Sequence, residues 1–162
     1  MTAETNNQVL YHIEDLQKDY GGHTVLQIES LSIHRGEIIA IIGPSGSGKS
    51  TLLRVLNFLE PPTHGKLYFD GTAIEDVPSM KTRRRVTTVF QNPQLLNRSV
   101  KANVEFGLKI RGLSENHNQV MQTLERVGLA GLEQSNTSSL SGGELQRVAL
   151  ARSLVLNTEA LL

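Results

Sequence analysis

Gly43-Pro44-Ser45-Gly46-Ser47-Gly48-Lys49-Ser50-Thr51 fits the pattern G-x-x-x-x-G-K-[ST]. The chemistry of that spacing is phosphate binding. Glycines let the backbone turn until several N–H groups point into one concavity, and a helix that starts there adds partial positive charge. Lys49 is then placed to reach the β- and γ-phosphates of a nucleoside triphosphate, and the Ser50 hydroxyl to ligate magnesium. The bland alternative is an ordinary Gly/Ser turn. Against it stand the apolar run just before the loop and the plausible helix Leu52-Leu53-Arg54-Val55-Leu56 just after it.

Leu140-Ser141-Gly142-Gly143-Glu144 is a second constellation, continued by Leu145-Gln146-Arg147 and the apolar residues Val148 to Ala151. Ser141 and Glu144 have the S-x-x-E spacing of a capping box, which predicts a helix start. A plain cap accounts for the serine and the glutamate. Two adjacent glycines at a helix N-terminus also open the backbone and offer a second phosphate-binding surface. On the residues alone both readings stand.

The elements that must carry these motifs follow from the apolar pattern. Ile38-Ile39-Ala40-Ile41-Ile42, ending at Gly43, has the continuous β-branched character of a central strand buried on both faces. Val9, Tyr11 and Ile13 alternate with polar neighbours, as do Leu31 and Ile33, and both predict half-buried strands. Leu67 and Phe69 alternate before Asp70-Gly71, a dipeptide suited to a tight hairpin turn. The first third therefore reads as short antiparallel strands. Val86 to Phe90 is a second candidate central strand, and the basic cluster Lys81, Arg83, Arg84, Arg85 before it reads as a solvated face. Beyond Gln91 the period becomes helical, with Val120, Met121, Leu124 and Val127 on one face and Gly128 as the stop. There is no internal repeat and no low-complexity tract, and Pro61-Pro62 is a local breaker. Glu159-Ala160-Leu161-Leu162 rises in hydrophobicity without a cap or polar tail, as though the chain were cut inside a strand.

Composition narrows the function classes. The 162 residues are about one domain's worth, with 38% hydrophobic and 20% charged residues, so the chain is expected to fold. Sixteen Lys plus Arg balance sixteen Asp plus Glu, which excludes binding of nucleic acid or an anionic membrane by bulk charge. The longest apolar run is Ile38 to Ile42, far short of the roughly 20 residues of a membrane-spanning helix. Thr2 to Gln8 has neither the basic start nor the apolar stretch of a secretory signal, so the chain is expected to stay in the compartment where it is made. There is no Cys, and the five His show no tight ligand spacing, which excludes a disulfide framework and a structural zinc site.

Gly43 to Thr51, Val89-Phe90-Gln91-Asn92-Pro93 and Leu140 to Arg147 together resemble the Walker A, Q-loop and signature motifs of an ABC transporter ATP-binding subunit. The resemblance runs from Val9 to Leu162 and rests on all three motifs in order. It implies an α/β P-loop NTPase fold with a mixed β part, a helical subdomain and an incomplete C-terminal end. Residues 1–90 would form the nucleotide-binding core with its antiparallel part, 91–152 the helical subdomain, and 153–162 the start of the Walker B strand. It implies MgATP as ligand, a head-to-tail second copy of the chain, and Ser141, Gly142, Gly143 and Glu144 acting on the nucleotide held by that copy. Tyr20 resembles the aromatic that stacks on adenine; unaided it is a Tyr before the turn Gly21-Gly22. Gln91 resembles the residue that senses magnesium and the γ-phosphate, whereas alone it is a strand-end Gln. Gln94 to Gly112 is similar to the region that docks on a transmembrane permease subunit, which would hold the protein to the inner face of the plasma membrane from the cytoplasmic side.

The same resemblance marks an absence. The family's magnesium-linked Asp, catalytic Glu, D-loop and switch His follow the strand that starts near Ala160, and none is present here. The expectation is therefore a subunit that hydrolyses ATP when complete, with Lys49 and Gln91 as catalytic residues, and a chain of this length that does not. A non-hydrolytic nucleotide-binding module is the alternative. Chromosome-organising ATPases share both motifs but carry a long coiled coil between them, for which the stretch from Lys49 to Ser141 has no room. A metabolite kinase would share the phosphate loop but has no need of Leu140 to Glu144. Leu56 to Pro62 and Leu96 to Val100 resemble the importers of tungstate and related oxyanions.

Overall fold

A computed structural model describes residues 8–114 and 116–162, so the Thr2 to Gln8 stretch weighed for signal character lies almost wholly outside the described residues. The chain divides into two compact units, one up to Arg84 and one from Arg85 to Leu162.

The first unit is built on a four-stranded antiparallel sheet. Strands β1 (Val9–Tyr20) and β2 (His23–His34) form a long hairpin, closed by Gly21 and Gly22, both in the left-handed region that a two-residue turn requires. Helix α1 (Lys49–Leu56) follows the glycine loop, and β3 (His64–Phe69) and β4 (Thr72–Ala73) complete the sheet in the order β2-β1-β3-β4. The alternation seen in the sequence is the register observed: Tyr11 faces Ile33 and Phe69, and Ile13 faces Leu31 and Leu67. Asp70 and Gly71 make the β3–β4 turn, both at positive φ. The first two strands are longer than the short ones expected, because a bulge lets β1 continue past a break in its pattern. Asp15 sits at φ +46°, the pairing with β3 slips between Glu14 and Gln17, and the buried parity moves from Ile13 to Leu16.

Helix α1 is fastened to this sheet at its C-terminal end. Tyr11, Phe58 and Phe69 form an aromatic cluster, with Tyr11–Phe69 centroids 4.9 Å apart and Phe58–Phe69 edge-on at 5.3 Å. The Tyr11 hydroxyl donates to the Leu56 carbonyl at 3.1 Å. The helix ends in a Schellman turn, with Leu59 N–H donating to Arg54 O at 2.9 Å and Phe58 N–H to Val55 O at 3.0 Å. Its left-handed residue is Phe58, at φ +57°. Glycine usually takes that position; here the burial of the ring in the aromatic cluster offsets the backbone cost.

The run Ile38 to Ile42 corrects an expectation. It belongs to neither sheet, and Ile38 and Ile42 are 98% and 92% exposed. A strand is buried by its lateral neighbours and by layers on its faces, and composition supplies neither. The run carries the side chains of a central strand without the pairing.

The second unit starts after the short helix α2 (Met80–Arg83). Strand β5 (Val86–Thr87) pairs in parallel with β6 (Ala160–Leu161) at the far end of the chain, and Val89 N–H extends the ladder to Leu162 O at 2.8 Å. The candidate strand Val86 to Phe90 is thus regular for its first two residues only, and Phe90 is exposed. Arg85, from the basic cluster, is not merely solvated: it forms a two-pronged ion pair with Glu159. Helices α3 (Val100–Ile110), α4 (His117–Arg126) and α5 (Gly142–Leu154) make the rest. Their core is Val100, Val104 and Leu108 against Val120, Leu124, Val148, Ala151 and Val155. Spacings of three and four residues put those side chains on one stripe of each helix, and Gly128, at φ +70°, follows α4 as expected.

Candidate functional site

Gly43 to Gly48 forms an irregular loop that becomes helix α1 at Lys49. Gly46 and Gly48 both lie at φ +83°, a conformation that a side chain opposes. A Cβ on Gly43 would come within 2.7 Å of Ser47 Oγ, so the loop is also closed tightly on itself. The Lys49 ammonium folds back across it, donating to Gly43 O at 2.8 Å, Pro44 O at 2.6 Å and Ser47 Oγ at 3.3 Å. The Gly48 cap has no side chain to accept from the first-turn amides, and α1 carries no acidic residue in its first turn. The positive end of the helix therefore faces outward uncompensated, beside an ammonium, which is an arrangement suited to an anion. Of the two hydroxyls that follow, Thr51 is buried and Ser50 is exposed with no hydrogen-bond partner among the described residues. Ser45 and Pro44 are exposed on the loop.

Tyr20 ends β1, and its hydroxyl donates to Glu60. That bond to a carboxylate, together with partial desolvation, raises the phenol's pKa, while Arg54 and Thr51 oppose the rise. The aromatic predicted to meet a base is thus next to the helix that begins at the phosphate loop. Glu60 was not legible in sequence as a partner of Tyr20, because the two meet only through the tertiary fold.

In the second unit, Gln91 is exposed just beyond the β5 segment. Ser141 caps α5 as a complete capping box: Glu144 Oε2 accepts from Ser141 N at 2.7 Å, and Ser141 Oγ accepts from Glu144 N at 3.4 Å. The Ser141 hydroxyl and amide hydrogen bonds, with Arg147 nearby, hold the Glu144 carboxyl below its ordinary value. Gly142 and Gly143 are exposed, and a Cβ on Gly142 would meet nothing within 4 Å. The capping expectation is met, and the glycines leave the helix start sterically open.

Asn103 is fully buried in α3 yet polar. Its Nδ2 donates to Leu96 O at 2.9 Å and Ser99 O at 3.1 Å, its Oδ1 accepts from Leu96 N at 2.8 Å, and Thr137 Oγ1 adds a bond to Leu96 O. Arg152 of α5 donates to Gln94 O at 2.9 Å. These residues fix the loop between Gln91 and α3. The signal that could have found Asn103 is its place on the apolar stripe of Val100, Val104 and Leu108, where a polar side chain needs a reason. A depression of about 520 Å³ over the first sheet, lined by His12, Glu14, Ser32 and Tyr68, includes none of the predicted site residues.

A glycine loop feeding a helix whose first residue is lysine, in a chain of paired strands and packed helices, defines an α/β P-loop NTPase fold. Residues 26–162 match the family described as ABC transporter, and the chain belongs to that family. It is 41% identical over 152 residues to the tungstate uptake system ATP-binding protein TupC of Peptoclostridium acidaminophilum, covering 93% of this chain and 69% of that protein. It is 40% identical to the spermidine/putrescine import ATP-binding protein PotA of Desulfitobacterium hafniense, covering 96% of this chain and 45% of that one. The solved structure of CbiO1 from Clostridium perfringens, described as part of the ABC transporter complex CbiONQ, superposes with a TM-score of 0.86 at 35% identity. That match covers 95% of this chain and 64% of CbiO1. The chain thus spans from under half to about two thirds of the length of the relatives it matches. Among the described residues no helix is long and apolar enough to cross a membrane.

Proposed function

We propose that this chain binds MgATP and that the protein to which it corresponds hydrolyses ATP to drive solute import through transmembrane permease partners. The observation that carries this reading is the Gly43–Thr51 loop, with the Lys49 ammonium lying over the Gly43 and Pro44 carbonyls at the bare start of α1. Lys49 swings from those carbonyls to the β- and γ-phosphates, where a fixed cation offsets charge that develops on the transferred group. The backbone N–H groups of Gly46 and Gly48 take the remaining phosphate oxygens. Ser50 suits magnesium, since its hydroxyl is a hard oxygen donor exposed at the helix start and otherwise uncommitted. Ser50 is the residue that would hold magnesium, and the ion would supply neutralisation of phosphate charge there. Gln91 is read as the side chain that contacts metal and γ-phosphate from the helical subdomain.

In the domain division proposed, residues 1–90 hold the nucleotide-binding core, 91–152 the helical subdomain and 153–162 the start of a further strand. Ser141, Gly142, Gly143 and Glu144 are read as facing the γ-phosphate of a second, head-to-tail copy; their open helix start and fixed cap support that reading. Gln94 to Gly112 is read as the permease contact, which would keep the protein at the inner face of the membrane. For the cargo, the tungstate relative supports an oxyanion, and relatives named for polyamine import have nearly the same identity. The test is calorimetric titration with MgATP: wild type binds, and Lys49→Ala, which removes the one side-chain charge aimed at the phosphates, does not. Unchanged affinity in Lys49→Ala refutes the site.

A further inference from the structure

The carboxylate of Glu60 stands at the centre of a small network around Tyr20. It accepts from the Tyr20 hydroxyl, lies 3.5 Å from Arg54 Nη1 of α1 and 3.8 Å from Lys18 Nζ of β1. Lys18 is itself pinned, donating to Pro61 O at 2.8 Å, and its ammonium sits over one face of the Tyr20 ring, 5.3 Å from the centroid. Glu60 is the residue directly after the Schellman turn of α1, and Pro61 and Pro62 follow it, so its backbone is fixed from both sides. One helix therefore runs from the phosphate loop at its start to the holder of Tyr20 at its end.

We propose that Glu60 is a positioning residue for the nucleotide base: it holds the Tyr20 phenol so that the ring face opposite Lys18 is the one offered for stacking. The proposal rests on the reading of Tyr20 as the base-stacking aromatic. Tyr20 is 40% exposed at the tip of a hairpin, where an untethered ring would sample several rotamers. Stacking strength depends on the ring being in place before the base arrives, since ordering it afterwards costs affinity. The hydroxyl–carboxylate bond removes that freedom, and Lys18 leaves a single face open.

The experiment compares MgATP with inorganic tripolyphosphate, which lacks base and ribose, by calorimetry on the 162-residue chain. Glu60→Ala weakens ATP binding about three- to tenfold, in the range of one ordinary net hydrogen bond, because the lost bond acts on the base only through the ring it holds. Tripolyphosphate affinity stays within about twofold, because the loop is untouched. Glu60→Gln, which keeps a carbonyl to accept from the phenol, retains most of the ATP affinity. Tyr20→Phe keeps the ring and the ion pairs but loses the hydroxyl, and it matches Glu60→Ala; this variant decides the matter if Glu60→Ala fails to fold. ATP binding at the wild-type level in Tyr20→Phe, or an equal loss for both ligands, overturns the proposal. Tyr20→Ala tests the underlying reading separately: if the ATP to tripolyphosphate ratio is unchanged there, Tyr20 does not stack on the base at all.

Discussion

No Cβ fits at Gly48: one placed there would lie 2.6 Å from the Val25 carbonyl oxygen of β2, and the residue is at φ +83°. The last glycine of the phosphate loop is thus seated directly on the antiparallel sheet, and the start of α1 is fixed by backbone contact. Gly48→Ala is expected to lose about 2–4 kcal/mol through left-handed strain and the clash together. Thermal unfolding reads the loss, and an undiminished melting temperature contradicts the close approach.

Gly65 gives a second steric prediction, remote from the loop. At φ +79° its Cβ would fall 2.2 Å from the Asp15 carbonyl oxygen, at the β1 bulge. Gly65→Ala should therefore destabilise the sheet by a comparable amount, about 2–4 kcal/mol, while leaving the phosphate loop's chemistry alone. Urea unfolding measures the first effect, and ATP titration well below the midpoint measures the second. A variant as stable as wild type would show that the bulge relaxes freely.

Ser141→Arg is expected to leave ATP binding by the single chain intact but to block ATP-driven dimerisation and turnover in the longer protein. On the reading that α5 faces a second copy, a bulky cation at its open start would obstruct that copy's γ-phosphate. Sedimentation with and without ATP separates the two effects; a monomer that binds ATP as poorly as it dimerises contradicts action on a second copy.

The cap of α5 carries a pH dependence. Glu144 has its pKa lowered in the fold, chiefly by the Ser141 hydroxyl, from an ordinary value of 4.5. A depressed folded pKa means that the carboxylate's contribution is present above 4.5 and is lost as pH falls through the folded value. Ser141→Ala removes the main cause and costs about 1 kcal/mol of cap stability. In an NMR titration the Glu144 midpoint of wild type should lie below 4.5 and move up toward it in Ser141→Ala; coincident midpoints would refute the assigned cause.

The 162-residue chain is expected to show no magnesium-dependent ATP turnover above a Lys49→Ala control, whereas a protein of the relatives' full length does. No group of three or more His, Cys, Asp or Glu able to hold a metal occurs among the described residues, and the Lys49 ammonium bonds to Gly43 O, Pro44 O and Ser47 Oγ with no carboxylate among those partners. General-base assistance is worth roughly 10²- to 10⁴-fold, so turnover without a positioned base is expected to fall by that factor. Phosphate release by monodisperse chain, abolished in Lys49→Ala, would require Glu105, Glu144 or Glu159 to act in that role.

Sequence alone determined what is local. The Gly43–Thr51 spacing, the Ser141–Glu144 box, the Asp70-Gly71 turn and the Val120–Val127 stripe each depend on residues a few positions apart, whose backbone and side-chain preferences act without help from the rest of the chain. Tertiary structure decided what depends on distant partners. Ile38 to Ile42 reads as a buried strand yet stands unpaired, because pairing belongs to neighbours and not to the run itself. Arg85 reads as a solvated cation yet meets Glu159, brought beside it by the parallel pairing of β5 with β6. Tyr20 meets Glu60 only after α1 has been laid on the sheet by Tyr11, Phe58 and Phe69 and turned by Phe58 in a conformation that sequence preference assigns to glycine. A favourable burial can outweigh a local backbone preference of about 1–2 kcal/mol, and only the packed fold shows where it does.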